Sequence, residues 1–138
     1  MLKVIAAKIS VLALTLVAAV VTSTASLATI CSTGPFIVFF DFDSDELLPS
    51  QNATLDNAFS LLGNCGYDGI YLAGRTDQSG PASYNVQLAE RRIQTVMAYF
   101  ARRGVVKGKF LTEAFGETRP FSSGKKYRGP TYDRRVEI

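Results

Sequence analysis

The chain has no histidine and only two cysteines among its 138 residues. The lack of histidine excludes a histidine general base and a histidine-ligated zinc site. Cys31 and Cys65 lie too far apart for the CxxC spacing of a structural zinc site. We therefore predict that the chain holds neither a metal ion nor a cofactor.

The chain also lacks a strong excess of either charge. Its formal balance is +3, but Lys3 and Lys8 both lie in the N-terminal segment. The remainder has 13 basic against 12 acidic residues, a net charge of +1. So small an excess of positive charge gives no basic surface of the kind that binds nucleic acid, and we predict no nucleic-acid partner.

A long apolar run occurs only near the N-terminus. Two lysines precede an apolar run from about Ile9 to Val21, and small residues follow it, which are the three parts of a secretory signal. We predict that residues 1–28 form a signal peptide, cleaved after Ala25 or Ala28. The alternative is an uncleaved membrane anchor, although the apolar run is shorter than the roughly 20 residues that a spanning helix needs.

Export would bring the two cysteines into an oxidising compartment, where such a pair normally forms a disulfide. We predict a bond between Cys31 and Cys65, and two free, buried thiols are the alternative. Closing this loop is worth roughly 3 kcal/mol or more in the chain-entropy account. Ile30 argues against lipid attachment at Cys31, because precursors of lipid-modified proteins need a small residue there.

After the N-terminal region, the hydrophobic pattern alternates between strand and helix. The near-continuous apolar run Phe36 to Phe42 predicts a strand covered on both faces. The spacing of apolar residues predicts a helix from near Pro49 to Gly63, a strand from Gly69 to Ala73 and a helix from Ala82 to Arg103. Composition predicts an exposed loop between Phe121 and Tyr132. The order β-α-β-α-β-β predicts an α/β (α+β) two-layer sandwich, a mixed sheet with helices packed on it.

The long predicted helix has two stripes of different character. Asn85, Leu88 and Arg92 share one stripe. The second stripe is continuous and apolar and consists of Val86, Ala89, Ile93, Val96, Met97 and Phe100. We expect the apolar stripe to face the core and the first stripe to lie at its border, partly exposed beside the loop that carries Asp77. A polar pocket is predicted there.

Several separated motifs in this chain match those of one known family. The core motif TDxxGxxxYNxxLSxxRA is matched in spacing by Thr76-Asp77, Gly80, Tyr84-Asn85, Leu88-Ala89 and Arg92-Ile93. Three further segments also match the family. Phe39 to Leu47 matches its first strand and turn, Gly104 to Pro120 matches its late helix end and the strand that follows, and Asp133 to Ile138 matches its terminal strand. From about Phe36 to Ile138 the chain therefore resembles the OmpA-like peptidoglycan-binding domain, which also occurs in peptidoglycan-associated lipoproteins and flagellar-motor stator proteins.

The resemblance implies a non-catalytic protein that binds peptidoglycan in the periplasm, at the cell wall or outer membrane of a Gram-negative bacterium. It divides the chain into the signal at 1–28, a linker at 29–35 and the binding domain at 36–138. Membrane contact is expected only if the N-terminal segment stays uncleaved. An outer-membrane or other envelope protein is a further partner to consider.

The resemblance also implies which residues form the binding site. The family's aspartate and arginine that correspond to Asp77 and Arg92 hold diaminopimelate, an amino acid of the peptidoglycan stem peptide. The other residues that line this pocket in the family correspond to Asp41, Thr76, Ser79, Asn85, Leu88 and Arg134.

The chemistry of Asp77 and Arg92 agrees with that ligand. Diaminopimelate has an ammonium and a carboxylate on one carbon, so a selective site needs an acceptor-only anion and a forked cation. Arginine donates two parallel hydrogen bonds to a carboxylate, and charge-assisted bonds are worth roughly 1.5–3 kcal/mol each. The alternative is that Asp77 and Arg92 simply pair with each other.

Arg75 and Asp133 depart from the family pattern, which has a histidine and an asparagine at these positions. We expect Arg75 and Asp133 to pair with each other. If Arg75 instead points into the pocket, its charge would alter the affinity and the stereochemical preference of the pocket for its ligand.

Two other functions stay open. One is a cell-wall hydrolase with Asp41 and Asp43 as paired carboxylates. The other is an interaction protein that binds a partner through a basic loop at residues 122–128.

Overall fold

A computed structural model describes residues 34–118 and 129–138 of the chain. The predicted signal peptide, Cys31 and most of the predicted loop lie outside these ranges. The signal, the disulfide and the domain boundaries therefore stay predictions. In the described ranges, no helix is long and apolar enough to cross a membrane.

The described ranges contain four strands and three α-helices. In chain order they are β1 (Ile37–Phe39), α1 (Asn52–Cys65), β2 (Ile70–Arg75), α2 (Ala82–Ala101), β3 (Phe110–Gly116), α3 (Pro130–Asp133) and β4 (Arg135–Glu137). Short 3-10 turns precede α1 and β3 at Pro49–Gln51 and Lys107–Lys109. The predicted element order is confirmed, and α3 adds a single helical turn where the sequence predicts loop.

The strands form one mixed sheet in the order β1-β4-β2-β3. β2 and β3 are parallel, whereas β4 runs antiparallel to both β1 and β2. The last strand of the chain thus lies between the first two. This arrangement brings the residues at the start of β4 next to the end of β2, where the predicted site lies.

The first strand is shorter than predicted, and only one of its faces is fully buried. Val38 is fully buried in the core, whereas Ile37 and Phe39 point to the other face and stay partly exposed. Phe42, at the end of the predicted strand, is 63% exposed. The predicted burial of both faces is therefore only partial, because the second face is covered by single contacts such as that of the Phe39 ring with Tyr132 of α3, and the apolar run continues beyond the strand into a turn.

The core lies between the sheet and the helices α1 and α2. It is formed by buried residues of every strand except β3 and of both long helices, including Val38, Leu55, Ala58, Leu72, Ile93, Val96, Phe100 and Val136. The predicted apolar stripe of α2 faces this core except for Val86, which is 36% exposed and packs on Gly116. Gly74 lets β2 approach α2 closely, because a Cβ there would lie 2.6 Å from the Ala89 carbonyl oxygen. This contact fixes the helix that carries Arg92 against the sheet.

Candidate functional site

A small cavity lies where β2 ends and the chain turns toward α2. Its lining consists of Phe42, Asp43, Thr76, Asp77, Ser79, Tyr84, Asn85, Leu88, Arg92 and Arg134. The cavity volume is about 20 Å³, which is enough for about one water molecule. The structure thus brings together seven of the eight predicted binding residues. Asp41 is the exception.

Arg92 forms the buried floor of this cavity. Its guanidinium donates from Nε to the Ser44 carbonyl at 2.8 Å, from Nη1 to the Arg75 carbonyl at 2.9 Å and from Nη2 to the Asp41 carbonyl at 3.0 Å. The group also lies over the Phe40 ring, 5.2 Å from its centre. A guanidinium has about five N–H donors, so two remain for another partner. The main chain therefore holds Arg92 in one position.

Arg92 keeps its charge in this buried position. The side chain is fully buried, and burial lowers the pKa of Arg92 to about 10, while the nearby Asp77 carboxylate opposes that shift. The guanidinium is therefore still protonated at neutral pH. A buried, fixed positive charge at the floor of a polar cavity favours an anionic group as its ligand.

Asp77 pairs with Arg134 rather than with Arg92. Asp77 Oδ2 accepts a hydrogen bond from Arg134 Nη1 at 3.1 Å, and Oδ1 accepts one from the Ser79 backbone N–H at 3.0 Å. Arg134 also donates from Nε to the Phe40 carbonyl at 3.3 Å. In residues 34–118 and 129–138, no hydrogen bond or ion pair joins Asp77 to Arg92. The alternative of a simple Asp77–Arg92 pair is therefore wrong.

The Asn85, Leu88 and Arg92 stripe is buried, so its predicted partial exposure is wrong. Asn85 is 1% and Leu88 4% exposed. The loop after β1 folds over this part of α2, because Arg92 binds two of its carbonyl groups and the Thr95 hydroxyl binds that of Asp45 at 2.9 Å. The stripe therefore forms an inner wall of the cavity instead of an exposed border.

Asn85 and Thr76, two polar side chains of the cavity wall, differ in their hydrogen bonding. Asn85 Nδ2 donates to the Glu117 carboxylate and to the Gly80 carbonyl at 3.5 Å. Thr76 is 3% exposed, and its hydroxyl has no hydrogen-bond partner within the described part of the chain. A buried, unpaired hydroxyl is costly in a folded protein. Thr76 thus offers an unused donor and acceptor to whatever enters the cavity.

The mouth of the cavity contains three residues that were not among the predicted binding residues, Phe42, Asp43 and Tyr84. The Tyr84 hydroxyl donates to the Asp43 carboxylate, and this bond raises the pKa of Tyr84. Phe42 lies beside them with most of its ring exposed. Asp41 is exposed and its side chain is not part of the lining, so the predicted Asp41 contributes through its carbonyl, which accepts from Arg92.

Arg75 does not point into the cavity, and it does not pair with Asp133. Its guanidinium donates to both carboxylate oxygens of Glu137, at 3.0 and 3.3 Å, and lies over the Phe115 ring. Asp133 instead forms an ion pair with Arg135, with 3.5 Å between Asp133 Oδ1 and Arg135 Nη1. Both expectations for Arg75 are wrong because β4 is paired with β2 and places Glu137 within its reach. Arg75 contributes to the site through its carbonyl, which accepts a hydrogen bond from Arg92.

The Glu137 carboxylate is expected to make stability depend on pH. Its partial burial alone would raise the pKa of Glu137, but hydrogen bonds from Arg75 and Arg135 outweigh it and lower the pKa below its ordinary value of 4.5. Its contribution to stability is therefore present above pH 4.5 and lost as pH falls through the lowered pKa. In urea unfolding, Glu137→Gln should be less stable than wild type at neutral pH, and this difference should shrink on acidification. A difference that stays constant with pH, as expected for the exposed control Glu90→Gln, would contradict this linkage.

The fold and the site agree with one known family. Residues 39–131 match the OmpA family. This match covers well over half of the chain, and the chain therefore belongs to the OmpA family. The resemblance predicted from the separated motifs is confirmed.

Individual relatives agree with this assignment. The chain is 36% identical over 100 residues to outer membrane protein A of Bordetella avium, covering 72% of this chain and 52% of that protein. It is 34% identical over 101 residues to the peptidoglycan-associated lipoprotein of Pseudomonas putida, covering 72% of this chain and 60% of that protein. The chain thus spans between half and three fifths of the length of these two relatives.

Solved structures confirm the fold class. The peptidoglycan-associated lipoprotein from Burkholderia pseudomallei superposes with a TM-score of 0.64 at 26% identity, covering 73% of this chain and 86% of that one. The periplasmic domain of Helicobacter pylori MotB superposes with a TM-score of 0.59 at 19% identity, covering 72% of this chain and 67% of that one. At this identity, the MotB likeness concerns the fold alone.

Proposed function

We propose that this chain binds peptidoglycan noncovalently in the envelope of a Gram-negative bacterium, through the ammonium and carboxylate carried by one carbon of diaminopimelate. The observation that carries the proposal is the joint presence of Asp77, Arg92 and Arg134 at one cavity. Two relatives whose names describe association with peptidoglycan support the ligand class. The proposed site is a binding site and not a catalytic one.

The charges around the cavity suit a zwitterionic ligand. Arg92 is fixed by three main-chain carbonyls and has two N–H groups left for the ligand carboxylate. Asp77 is the acceptor for the ammonium, and the unpaired Thr76 hydroxyl can bind either group. A ligand without an ammonium would displace Arg134 from Asp77 without replacing it, and a ligand without a carboxylate would leave Arg92 without an anion, so the loss of either charge costs affinity.

The ligand displaces Arg134 when it binds. A cavity of about 20 Å³ holds a water but not an amino-acid head group. Arg92 cannot move without breaking three hydrogen bonds, whereas the side chain of Arg134 is 15% exposed and has a long, flexible stem. We therefore assign the opening of the site to Arg134. The ligand ammonium replaces it on Asp77, and the released guanidinium is free to turn toward the ligand carboxylate.

No observation favours the two other functions considered from the sequence. A hydrolase would need paired carboxylates in one cleft, but Asp43 lines the cavity and is bound by Tyr84, while Asp41 does not line it. The basic loop at residues 122–128, considered for a protein partner, lies outside the described residues.

Competition with small ligands tests the proposed site. Wild-type protein should pellet with purified diaminopimelate-containing sacculi, and free diaminopimelate should release it. Two matched competitors each lack one charge type: pimelate keeps the seven-carbon chain but has no ammonium groups, and cadaverine keeps the five-carbon spacing of the two ammonium groups but has no carboxylates. We expect neither to release the protein at the concentration at which diaminopimelate does.

Two outcomes would contradict the proposed function. If pimelate competed as well as diaminopimelate, the cavity would be a simple anion site that does not use Asp77. If the protein pelleted with sacculi but none of the three compounds released it, attachment to the wall would not pass through this cavity.

A further inference from the structure

The two edges of the sheet differ in how they are protected. The strand order makes β1 and β3 the edge strands. β1 has only three residues, and its Phe39 N–H donates to the Gln51 side chain at 3.2 Å. β3 has seven residues, and within residues 34–118 and 129–138 no strand pairs with its outer edge. A long edge strand of this kind is a template for a further strand.

The register shows which backbone groups lie on the outer edge of β3. The Thr76 N–H donates to the Gly116 carbonyl at 2.8 Å, so Thr76 faces β3. Alternate residues of a strand face the same side, and Gly74 and Leu72 therefore also face β3. Leu72 lies opposite Thr112, and in a parallel pair only one residue of each opposed couple makes the bonds between the strands. Thr112 thus directs its N–H and carbonyl to the outer edge.

The side chains beside this edge have an apolar centre between opposite charges. Phe110 and Ala114 pack on the core, so the alternate residues Lys109, Leu111 and Glu113 lie on the face of the sheet away from the helices. Leu111 is 64% exposed, and Glu113 is exposed as well. In the described part of the chain, neither Lys109 nor Glu113 forms an ion pair. The order of basic, apolar and acidic residues makes this segment complementary to its own reverse.

We propose that β3 pairs antiparallel with β3 of a second copy of this chain, around a two-fold axis at Leu111. A two-fold contact uses the same surface of both copies, so it requires self-complementary residues. In this register the two Leu111 side chains oppose each other, and Lys109 of each copy opposes Glu113 of the other. The Thr112 N–H donates to the Phe110 carbonyl of the second copy, while the Phe110 N–H keeps its bond to the Lys107 carbonyl.

The pairing joins the two four-stranded sheets into one sheet of twice that width. It does not use any residue of the proposed peptidoglycan site. If that site binds as proposed, the dimer has two of them at opposite ends of the joined sheet, because β2 and β3 are parallel and end beside the site. The contact consists of two short strands, so association is weak and depends on protein concentration.

Sedimentation equilibrium of the exported protein, from micromolar to millimolar concentration, tests the backbone part of this contact. Wild type should be a mixture of monomer and dimer that shifts toward dimer as concentration rises. Thr112→Pro removes the outward N–H, which the sheet of the single copy does not use, and edge strands tolerate proline at such positions. This variant should remain monomeric. Thr112→Val, the matched control, keeps the N–H and a similar shape and should associate like wild type.

Exchange of the charges tests the register. Lys109→Glu or Glu113→Lys places like charges opposite each other at both ends of the contact, and each should raise the dimer dissociation constant roughly tenfold. The double variant Lys109→Glu/Glu113→Lys restores opposite pairs and should associate more tightly than either single variant. Glu90→Lys makes the same change of charge at an exposed position of α2 and should leave association unchanged.

Three results would overturn the inference. Wild type that stays monomeric at millimolar concentration would mean that the edge of β3 does not pair. A dimer that survives Thr112→Pro, in protein folded by circular dichroism, would use another surface. A folded double variant that associates no better than the single variants would contradict the register centred on Leu111.

Discussion

Replacing Arg92 with alanine should lower the free energy of unfolding by at least about 3 kcal/mol, because each hydrogen bond from a charged group contributes roughly 1.5–3 kcal/mol. The substitution leaves three carbonyls without their donor, one of them buried and two partly buried, and opens a void beneath the loop after β1. A small domain has a total stability of roughly 5–15 kcal/mol. Arg92→Ala should therefore be marginally stable in urea unfolding, with any loss of ligand binding accompanied by loss of structure.

The preceding residue on α2 is a matched control for this prediction. Arg91 is 44% exposed in its side chain and pairs with Asp45, which is 39% exposed. Exposed pairs of this kind contribute roughly 0–1 kcal/mol, so Arg91→Ala should remain close to wild type. If Arg92→Ala were no less stable than Arg91→Ala, the three main-chain bonds would not hold the loop over the helix.

Replacing Asp77 with asparagine should lower affinity for peptidoglycan without unfolding the protein. The amide keeps the shape of the side chain but loses the charge that binds an ammonium. A charge-assisted bond of roughly 1.5–3 kcal/mol corresponds to a loss of about tenfold to a hundredfold in affinity. Arg134, which loses its charged partner but keeps the Phe40 carbonyl as an acceptor, can turn toward solvent because its side chain is 15% exposed. Pelleting with sacculi at several protein concentrations measures this loss.

Asp45→Asn is the control for the Asp77 substitution, since it also removes one carboxylate from the same part of the molecule. Its partner is Arg91, outside the cavity. We expect the control to pellet like wild type. Equal affinity of Asp77→Asn and wild type, both folded by circular dichroism, would remove Asp77 from the site.

The local part of the site was predictable from the sequence. Thr76, Asp77 and Ser79 follow β2 directly, and Asn85, Leu88 and Arg92 lie on the next helix, so chain order and helical period are enough to place them together. The fold class was predictable for a similar reason, because the alternation of strand and helix patterns already implies a sheet covered by helices.

The long-range part of the site was not predictable in the same way. Arg134 reaches Asp77 only because β4 pairs between β1 and β2, and the register of those pairs is not visible in local periodicity. The same register gives Arg75 its partner Glu137. The buried state of Arg92 depends on a loop that folds back over the helix. A turn in this loop lies at Asp43, which has a positive φ of 50°, a conformation that Asp tolerates better than most residues.

The central claim is that one cavity binds both charges of a diaminopimelate head and releases Arg134 from Asp77. The most direct test is a nuclear magnetic resonance titration of the protein with free diaminopimelate, following arginine Nε–H and backbone N–H signals. We predict saturable shifts at the side chains of Arg92 and Arg134 and at the amide of Ser79, with no change at Arg103, which is bound to Asp56 on another part of the surface. Shifts that spare Arg92 and Arg134 at saturation, or that cluster away from Ser79, would contradict the claim.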